Sequence, residues 1–115
     1  MLGPTHYDFR PDVRRVVRHV ESVFPAVRAN TYKDHPWPNW DRVSVDFWGR
    51  GGRGDPIARD TGREVLEYLL TIPDLPPLRH WIYLHHLWTS FGGVSWWAPF
   101  DHSGKLRHVH VTFWL

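Results

Sequence analysis

The sequence predicts a small α+β domain with a mainly antiparallel sheet. Two segments carry apolar residues at helical spacing, and four or five short segments alternate polar and apolar residues. The strand–helix–strand rhythm typical of a parallel sheet is missing from this pattern. A chain of 115 residues is long enough for one hydrophobic core but not for two. We therefore expect residues 1–115 to form a single domain.

The two helices are predicted to run from Pro11 to Phe24 and from Asp55 to about Ile72. A proline stands in the first turn of each, where its missing N–H costs little. Asp55, directly before Pro56, is interpreted as the N-cap of the second helix. Each helix has an apolar stripe, formed by Val13, Val16, Val17, Val20 and Phe24 in the first and by Val65, Leu66, Leu69 and Ile72 in the second.

Strands are predicted where polar and apolar residues alternate. They cover residues 27–32, residues 43–48, one or two segments of 80–91 broken near His85, and residues 107–114. Proline and glycine mark the connections between them, at 33–40, 49–55, 73–77 and 92–93, and residues 96–106 are predicted to form a loop.

The last strand carries the most informative pattern. Alternation sends His108, His110, Thr112 and Trp114 to one face and the apolar residues between them to the other. Two imidazoles therefore project side by side from a strand whose opposite face is anchored in the core. Such a pair is placed to contribute to one metal site.

The chain contains no cysteine, which excludes disulfides, thiolate metal sites and cysteine nucleophiles. Any metal must be held by His, Asp or Glu. Asp46 lies in the middle of an apolar strand, where a carboxylate is disfavoured unless something binds it. Together with His35 and His110 it offers the three ligands of a catalytic zinc, which leave a position open for water. His108 would then act as a base or stabilise an oxyanion.

This order of residues resembles the zinc peptidases of the D-alanyl-D-alanine carboxypeptidase and L-alanyl-D-glutamate endopeptidase group, which share a metal site with lysostaphin-type endopeptidases and hedgehog domains. The resemblance spans residues 13–114 and lies in His35, Ser44–Phe47 and His108–Val111, with Arg28 upstream. It implies that His35, Asp46 and His110 hold zinc and that a metal-activated water attacks a peptide bond of peptidoglycan. Arg28 would pair with a substrate carboxylate.

Two positions depart from the family pattern. His35 precedes Asp46 by eleven positions, where seven are common in the family, and His102 is an alternative first ligand. Arg107 stands three residues before His110, where many members carry a carboxylate. The general base is then His108, or a loop acid such as Asp101.

Eight tryptophans are too many for the core of so small a domain. We expect about half of them in the core and the others along a groove for a bulky ligand. Trp48, Trp96 and Trp97 are the candidates for the groove wall.

Three other functions are weighed against the peptidase. A zinc-stabilised module that binds peptide or glycan without catalysis fits the missing acid at Arg107. A two-histidine phosphoesterase needs a second His-x-Ser/Thr besides His110–Thr112, and the sequence has none. A net charge of +2, without a basic cluster beside the aromatic residues, argues against nucleic-acid binding.

The sequence also bears on location and assembly. No stretch approaches the length of a membrane-spanning helix, and the first residues lack the pattern of a secretion signal. We expect a soluble monomer, without membrane insertion, that would act at the cell wall if the family resemblance holds.

Overall fold

The computed structural model describes residues 9–31, 39–90, 92–98 and 103–115. Within them lie two helices, α1 (Pro11–Val23) and α2 (Arg59–Leu69), and six strands: β1 (Val27–Asn30), β2 (Ser44–Gly49), β3 (Leu78–Tyr83), β4 (His86–Thr89), β5 (Val94–Trp96) and β6 (Val109–Phe113). The two helices and the antiparallel sheet form one compact globule, so the predicted α+β class is confirmed.

The strands follow the order β1-β2-β6-β3-β4-β5, and every neighbouring pair is antiparallel. The last strand of the chain therefore occupies the middle of the sheet, between β2 and β3. This insertion brings residues 109–113 beside residues 44–47, which are far away in the sequence.

Both helices pack on one face of the sheet. The four valines of the α1 stripe are fully buried, whereas Phe24, just after the helix, is partly buried; Val65 and Leu69 of α2 are buried as well. These side chains meet the apolar face of β2 and β6 in one core, which includes Val45, Phe47, Val109, Val111 and Phe113. Strand alternation leaves the polar residues of β2 and β6 on the opposite face.

The predicted start of α2 is wrong. The helix begins at Arg59, after Ala58, and Asp55 does not cap it. Instead, the Asp55 carboxylate accepts the backbone N–H of Gly51 at 2.6 Å, and its backbone carbonyl accepts the N–H of Gly49 at 2.7 Å. Asp55 thus closes the glycine-rich loop. Its carboxylate binds the nearby Gly51 N–H in place of the backbone N–H groups at the start of the helix, which are farther along the chain.

The segment after α2 forms two strands, broken where the sequence suggested. Leu84 and His85 make the two-residue turn between β3 and β4, and both have positive φ, at 49° and 65°. Strand β5 is an addition to the predicted elements, because Trp96 was expected to begin a loop and instead ends a strand.

The helices of the described residues are all too short or too polar to cross a membrane.

Candidate functional site

A polar cluster lies near the centre of the sheet, on the face opposite the helices. The register of β2 and β6 sets Asp46 directly opposite His110, and Ser44 directly opposite Thr112. Directly opposed residues share a face of the sheet, so their side chains meet. Asp46 is only 7% exposed although it carries a carboxylate. The structure thus brings together two of the three predicted zinc ligands.

Asp46 and His110 form a short hydrogen bond, in which Nδ1 of the imidazole donates to Oδ1 of the carboxylate at 2.6 Å. Burial alone would raise the pKa of the Asp46 carboxyl. The charge of His110 and this hydrogen bond, together with the charges of His108 and Arg53, outweigh burial and hold that pKa below its usual range. Asp46 is therefore ionised at neutral pH, which is the form that binds a cation.

His108 directs a second nitrogen at the same carboxylate. Its Nδ1 must donate to the carbonyl oxygen of Leu106, 2.6 Å away, because a carbonyl only accepts. Burial lowers the pKa of His108, and the attraction of Asp46 opposes this without cancelling it. In the neutral ring, Nε2 carries a lone pair and lies 3.7 Å from Oδ1 of Asp46. Both rings of the His-x-His pair thus direct a nitrogen towards the same carboxylate oxygen.

Trp48 and Arg28 extend the cluster along the same face. The Trp48 indole is buried and stacks on the His108 ring, with centroids 4.2 Å apart. Arg28 of β1 lies opposite Trp48 in the register, so it shares this face. Two of the four predicted substrate-binding residues, Arg28 and Trp48, therefore lie on the side of the sheet that carries Asp46.

Two buried hydroxyls complete the hydrogen bonding of His110. Its Nε2 lies 2.9 Å from Oγ1 of Thr112, and that oxygen lies 3.2 Å from Oγ of Ser44. Asp46, His110 and Thr112 are thus linked in the manner of an acid–base–hydroxyl relay. Thr112 is only 1% exposed, so its hydroxyl cannot reach a substrate as a nucleophile. Its role in the cluster is to hold the His110 imidazole by a hydrogen bond.

His80 is a further member of the cluster, in addition to the residues that the sequence predicted for the site. It lies opposite Thr112 in the register of β3 and β6, and its ring stacks against His110 with centroids 5.5 Å apart. Nη1 of Arg79 donates to Nδ1 of His80 at 3.3 Å. Alternation along β3 predicts which residues of that strand share a face with His80. Only the pairing of β3 with β6 shows that this face adjoins His110.

Trp96 and Trp97 are not brought to the cluster. In neighbouring strands, His110 lies opposite Ile82, Ile82 opposite Leu87, and Leu87 opposite Ser95, so these four side chains share one face of the sheet. Trp96 follows Ser95 in the same strand and therefore points to the other face. The backbone N–H of Trp97 donates to the carbonyl of His85 in the turn between β3 and β4. Three strands therefore separate these tryptophans from Asp46.

Arg107, at the position where the family often has an acid, points away from the cluster. Its Nε donates to the carbonyl of Ile57 at 2.6 Å and its Nη1 to that of Ser103 at 3.0 Å. The backbone carbonyl of Arg107 in turn accepts the N–H of Ile57. This residue fastens the start of β6 to the segment that leads into α2.

The remaining predicted residues, His35, Asp101 and His102, lie outside the described residues. In the part of the chain that the structure does describe, no three His, Asp or Glu side chains are grouped to hold a metal ion. The donor set of Asp46 and His110 nevertheless fits zinc, since an ionised carboxylate and an imidazole are ligands that zinc takes.

Comparisons with protein-family models, with curated proteins and with solved structures find no match to this chain.

Proposed function

We propose that this chain is a zinc-dependent peptidase that hydrolyses an amide bond in the stem peptides of peptidoglycan, or in related peptides containing D-amino acids. The observation that carries the proposal is the buried Asp46 carboxylate, whose Oδ1 lies 2.6 Å from Nδ1 of His110 and 3.7 Å from Nε2 of His108. The proposal also rests on the family-like order of His35, Asp46 and the closing His-x-His.

In this function Asp46 and His110 hold the metal, with His35 as the third ligand. Zinc supplies a Lewis acid that lowers the pKa of water towards about 7 and polarises a carbonyl. Such a site would lie against Trp48 and His108, which limits the access of bulk water on that side and strengthens electrostatic interactions.

His108 is the proton-transfer group. Its Nδ1–H is held by the Leu106 carbonyl, so Nε2 is the ring nitrogen that would take a proton from an attacking water and return it to the leaving amine. Because burial keeps the ring neutral at neutral pH, it is in the form that accepts a proton. Arg28, on the same face, is placed to pair with a carboxylate of the substrate.

The first experiment measures metal content by mass spectrometry on untagged protein. We expect about one zinc per chain in the wild type and none in Asp46→Ala or His110→Ala. His108→Ala should retain zinc but lose hydrolysis of purified stem peptides. His86→Ala, which removes an exposed imidazole outside the cluster, is the matched control and should retain both. A wild-type protein without zinc, even after zinc is added back, would contradict the proposal.

The second candidate is a zinc-stabilised module that binds cell-wall peptide or glycan without cleaving it. It is favoured by Arg107, whose guanidinium is engaged with two carbonyls where the family often has an acid. The same experiment separates the two functions. Zinc and peptide binding without any turnover, unchanged in His108→Ala, would favour the binding module.

A further inference from the structure

We propose that Arg79 forms a binding site for one oxyanion, the carboxylate or phosphate group of a ligand, at the edge of the polar cluster. The site is separate from the proposed zinc site and does not depend on it. Its position follows from the strand pairing. Strand β3 pairs with β6 at Leu78 and at His80, with a register shift between them that leaves Arg79 as an extra residue. A side chain at such a bulge is re-aimed relative to the alternation of the strand.

Three side chains hold the Arg79 guanidinium in place. Its central carbon lies 4.8 Å from the centre of the Trp40 ring and 5.5 Å from that of the Trp114 ring. Nη1 donates to Nδ1 of His80 at 3.3 Å, because a guanidinium can only donate. These partners come from the short 3-10 turn Trp40–Arg42, from the residue after β6 and from β3. A ligand would therefore meet a guanidinium that is already oriented, which lowers the entropy cost of binding.

The positive charge of Arg79 has no carboxylate partner in the described part of the chain. Its neighbours are two indoles and an imidazole, which attract a cation or accept its N–H but carry no net negative charge. Nε is buried and lacks a hydrogen-bond partner. Arg10, which also adjoins Trp114, shows the contrast, since its Nε and Nη2 donate to the two carboxylate oxygens of Asp12 at 2.6 and 3.1 Å. A half-buried charge without such a counter-ion is one that a ligand anion would stabilise.

The geometry of Arg79 indicates the kind of group that fits. Burial closes the Nε edge of the guanidinium, so a ligand must approach the terminal nitrogens. Nη1 retains a second N–H beside the one given to His80, and Nη2 has two. A parallel pair of N–H groups matches two oxygens of a carboxylate or a phosphate. Trp114 is 38% exposed, so its ring offers an apolar contact to the part of the ligand next to the anionic group.

The test titrates the protein with inorganic phosphate and, separately, with acetate at constant ionic strength. The indole N–H signals of Trp40 and Trp114 in the NMR spectrum report on the site, because both rings adjoin Arg79. We expect saturable shifts of these signals in the wild type. Arg79→Met removes the guanidinium and should weaken binding about 10-fold or more, as the loss of a charge-assisted hydrogen bond predicts. Arg18→Met removes an exposed arginine of α1 and should bind as the wild type does.

Arg79→Lys is a second variant, which keeps the charge but loses the planar pair of N–H groups, so its affinity should also fall. Circular dichroism checks that each variant folds. Binding of phosphate alone or of acetate alone identifies which oxyanion the site takes. The inference is overturned if neither anion shifts the wild-type signals saturably, or if Arg79→Met binds as tightly as the wild type. Binding that disappears when the titration is repeated after metal removal would also overturn it, because the anion would then lie on a metal ion. None of these outcomes depends on whether the protein hydrolyses peptides, so the proposed function is tested separately.

Discussion

At the scale of single residues, the cluster is organised by which atoms can donate and which can accept. The Leu106 carbonyl fixes the proton of His108 on Nδ1, and the Asp46 carboxylate attracts the proton of His110 to its own Nδ1. Nε2 of His108 lies 3.7 Å from Oδ1 of Asp46. A buried carboxylate therefore concentrates negative potential at one point of an otherwise apolar strand, which is the electrostatic basis of the proposed metal site.

Stability should fall on acidification because of His108. Its pKa is lowered in the folded protein by burial, whereas an unfolded histidine titrates near pH 6.5. Between the folded pKa and about 6.5 the unfolded chain binds the extra proton, so the free energy of unfolding declines as the pH falls below about 6.5. Urea denaturation of the metal-free protein from pH 8 to pH 5 measures this slope.

The variant His108→Gln isolates the effect. We expect its stability to depend less steeply on pH over that interval than the wild type's, whatever its absolute stability. His86→Gln removes an exposed imidazole and should retain the wild-type slope. Asp46 does not interfere, because its lowered pKa gives stability that is present above about pH 3.9 and is lost only as the pH falls through the still lower folded value. Parallel curves for wild type and His108→Gln would contradict the assignment.

Sequence reasoning found these residues for a simple physical reason. Alternation along a strand depends only on the chain itself, so the common face of His108 and His110 was predictable from β6 alone. The contact of Asp46 with His110 also required β2 and β6 to be neighbours in the sheet, which alternation along a single strand does not reveal. His80 had no such guide, since its place beside His110 depends on how β3 pairs with β6.

At the scale of elements, the packing of α2 on β3 depends on a glycine. Gly62 lies in the first turns of α2, and a Cβ built there would clash with the Tyr83 hydroxyl oxygen. That hydroxyl donates to the Arg59 carbonyl at 2.6 Å, in the first turn of the same helix. Helix propensity alone disfavours glycine by about 1 kcal/mol relative to alanine, so its presence here reflects the close approach of the tyrosine ring.

Gly62→Ala should therefore destabilise the protein although it improves helix propensity. Forcing a methyl group into a packed contact typically costs about 1–3 kcal/mol. We expect a net loss in the free energy of unfolding, measured by urea denaturation. The double variant Gly62→Ala with Tyr83→Val removes the clash, so adding the alanine to Tyr83→Val should be neutral or stabilising. If Gly62→Ala by itself stabilises the wild type, the packing described for α2 and β3 is incorrect.

The elements that the sequence misjudged were those governed by local hydrogen bonds or by unusual turns. Asp55 has the residue type of an N-cap, but its carboxylate is nearer to the Gly51 N–H within its own loop. The turn between β3 and β4 contains no glycine or asparagine, the usual residues at positive φ, so only its approximate place was predictable. Strand β5 is three residues long, too short for alternation to reveal.

At the scale of the whole molecule, the two halves of the sheet differ in burial. One half packs against the helices and is called the supported half, and the other ends at an exposed edge. Strands β2 and β6 are interior strands whose apolar faces lie in the core with α1 and α2. Strand β5 forms one edge, and its three residues are all exposed, with Trp96 at 68%. The proposed site lies in the supported half, where the surrounding packing resists local opening.

Hydrogen exchange should display this division. We expect the amides of β2 and β6 to exchange only through global unfolding, and the amides that pair β4 with β5 to exchange faster through local opening, because little apolar area is buried there.

Val17→Ala, which removes two methyl groups from the fully buried stripe of α1, tests the distinction. Its cost of about 2 kcal/mol should speed exchange in β2 and β6 while leaving β4 and β5 unchanged. Val23→Ala, on the same helix but 47% exposed, should change neither set. Equal acceleration of both sets by Val17→Ala would mean that the sheet opens as one unit.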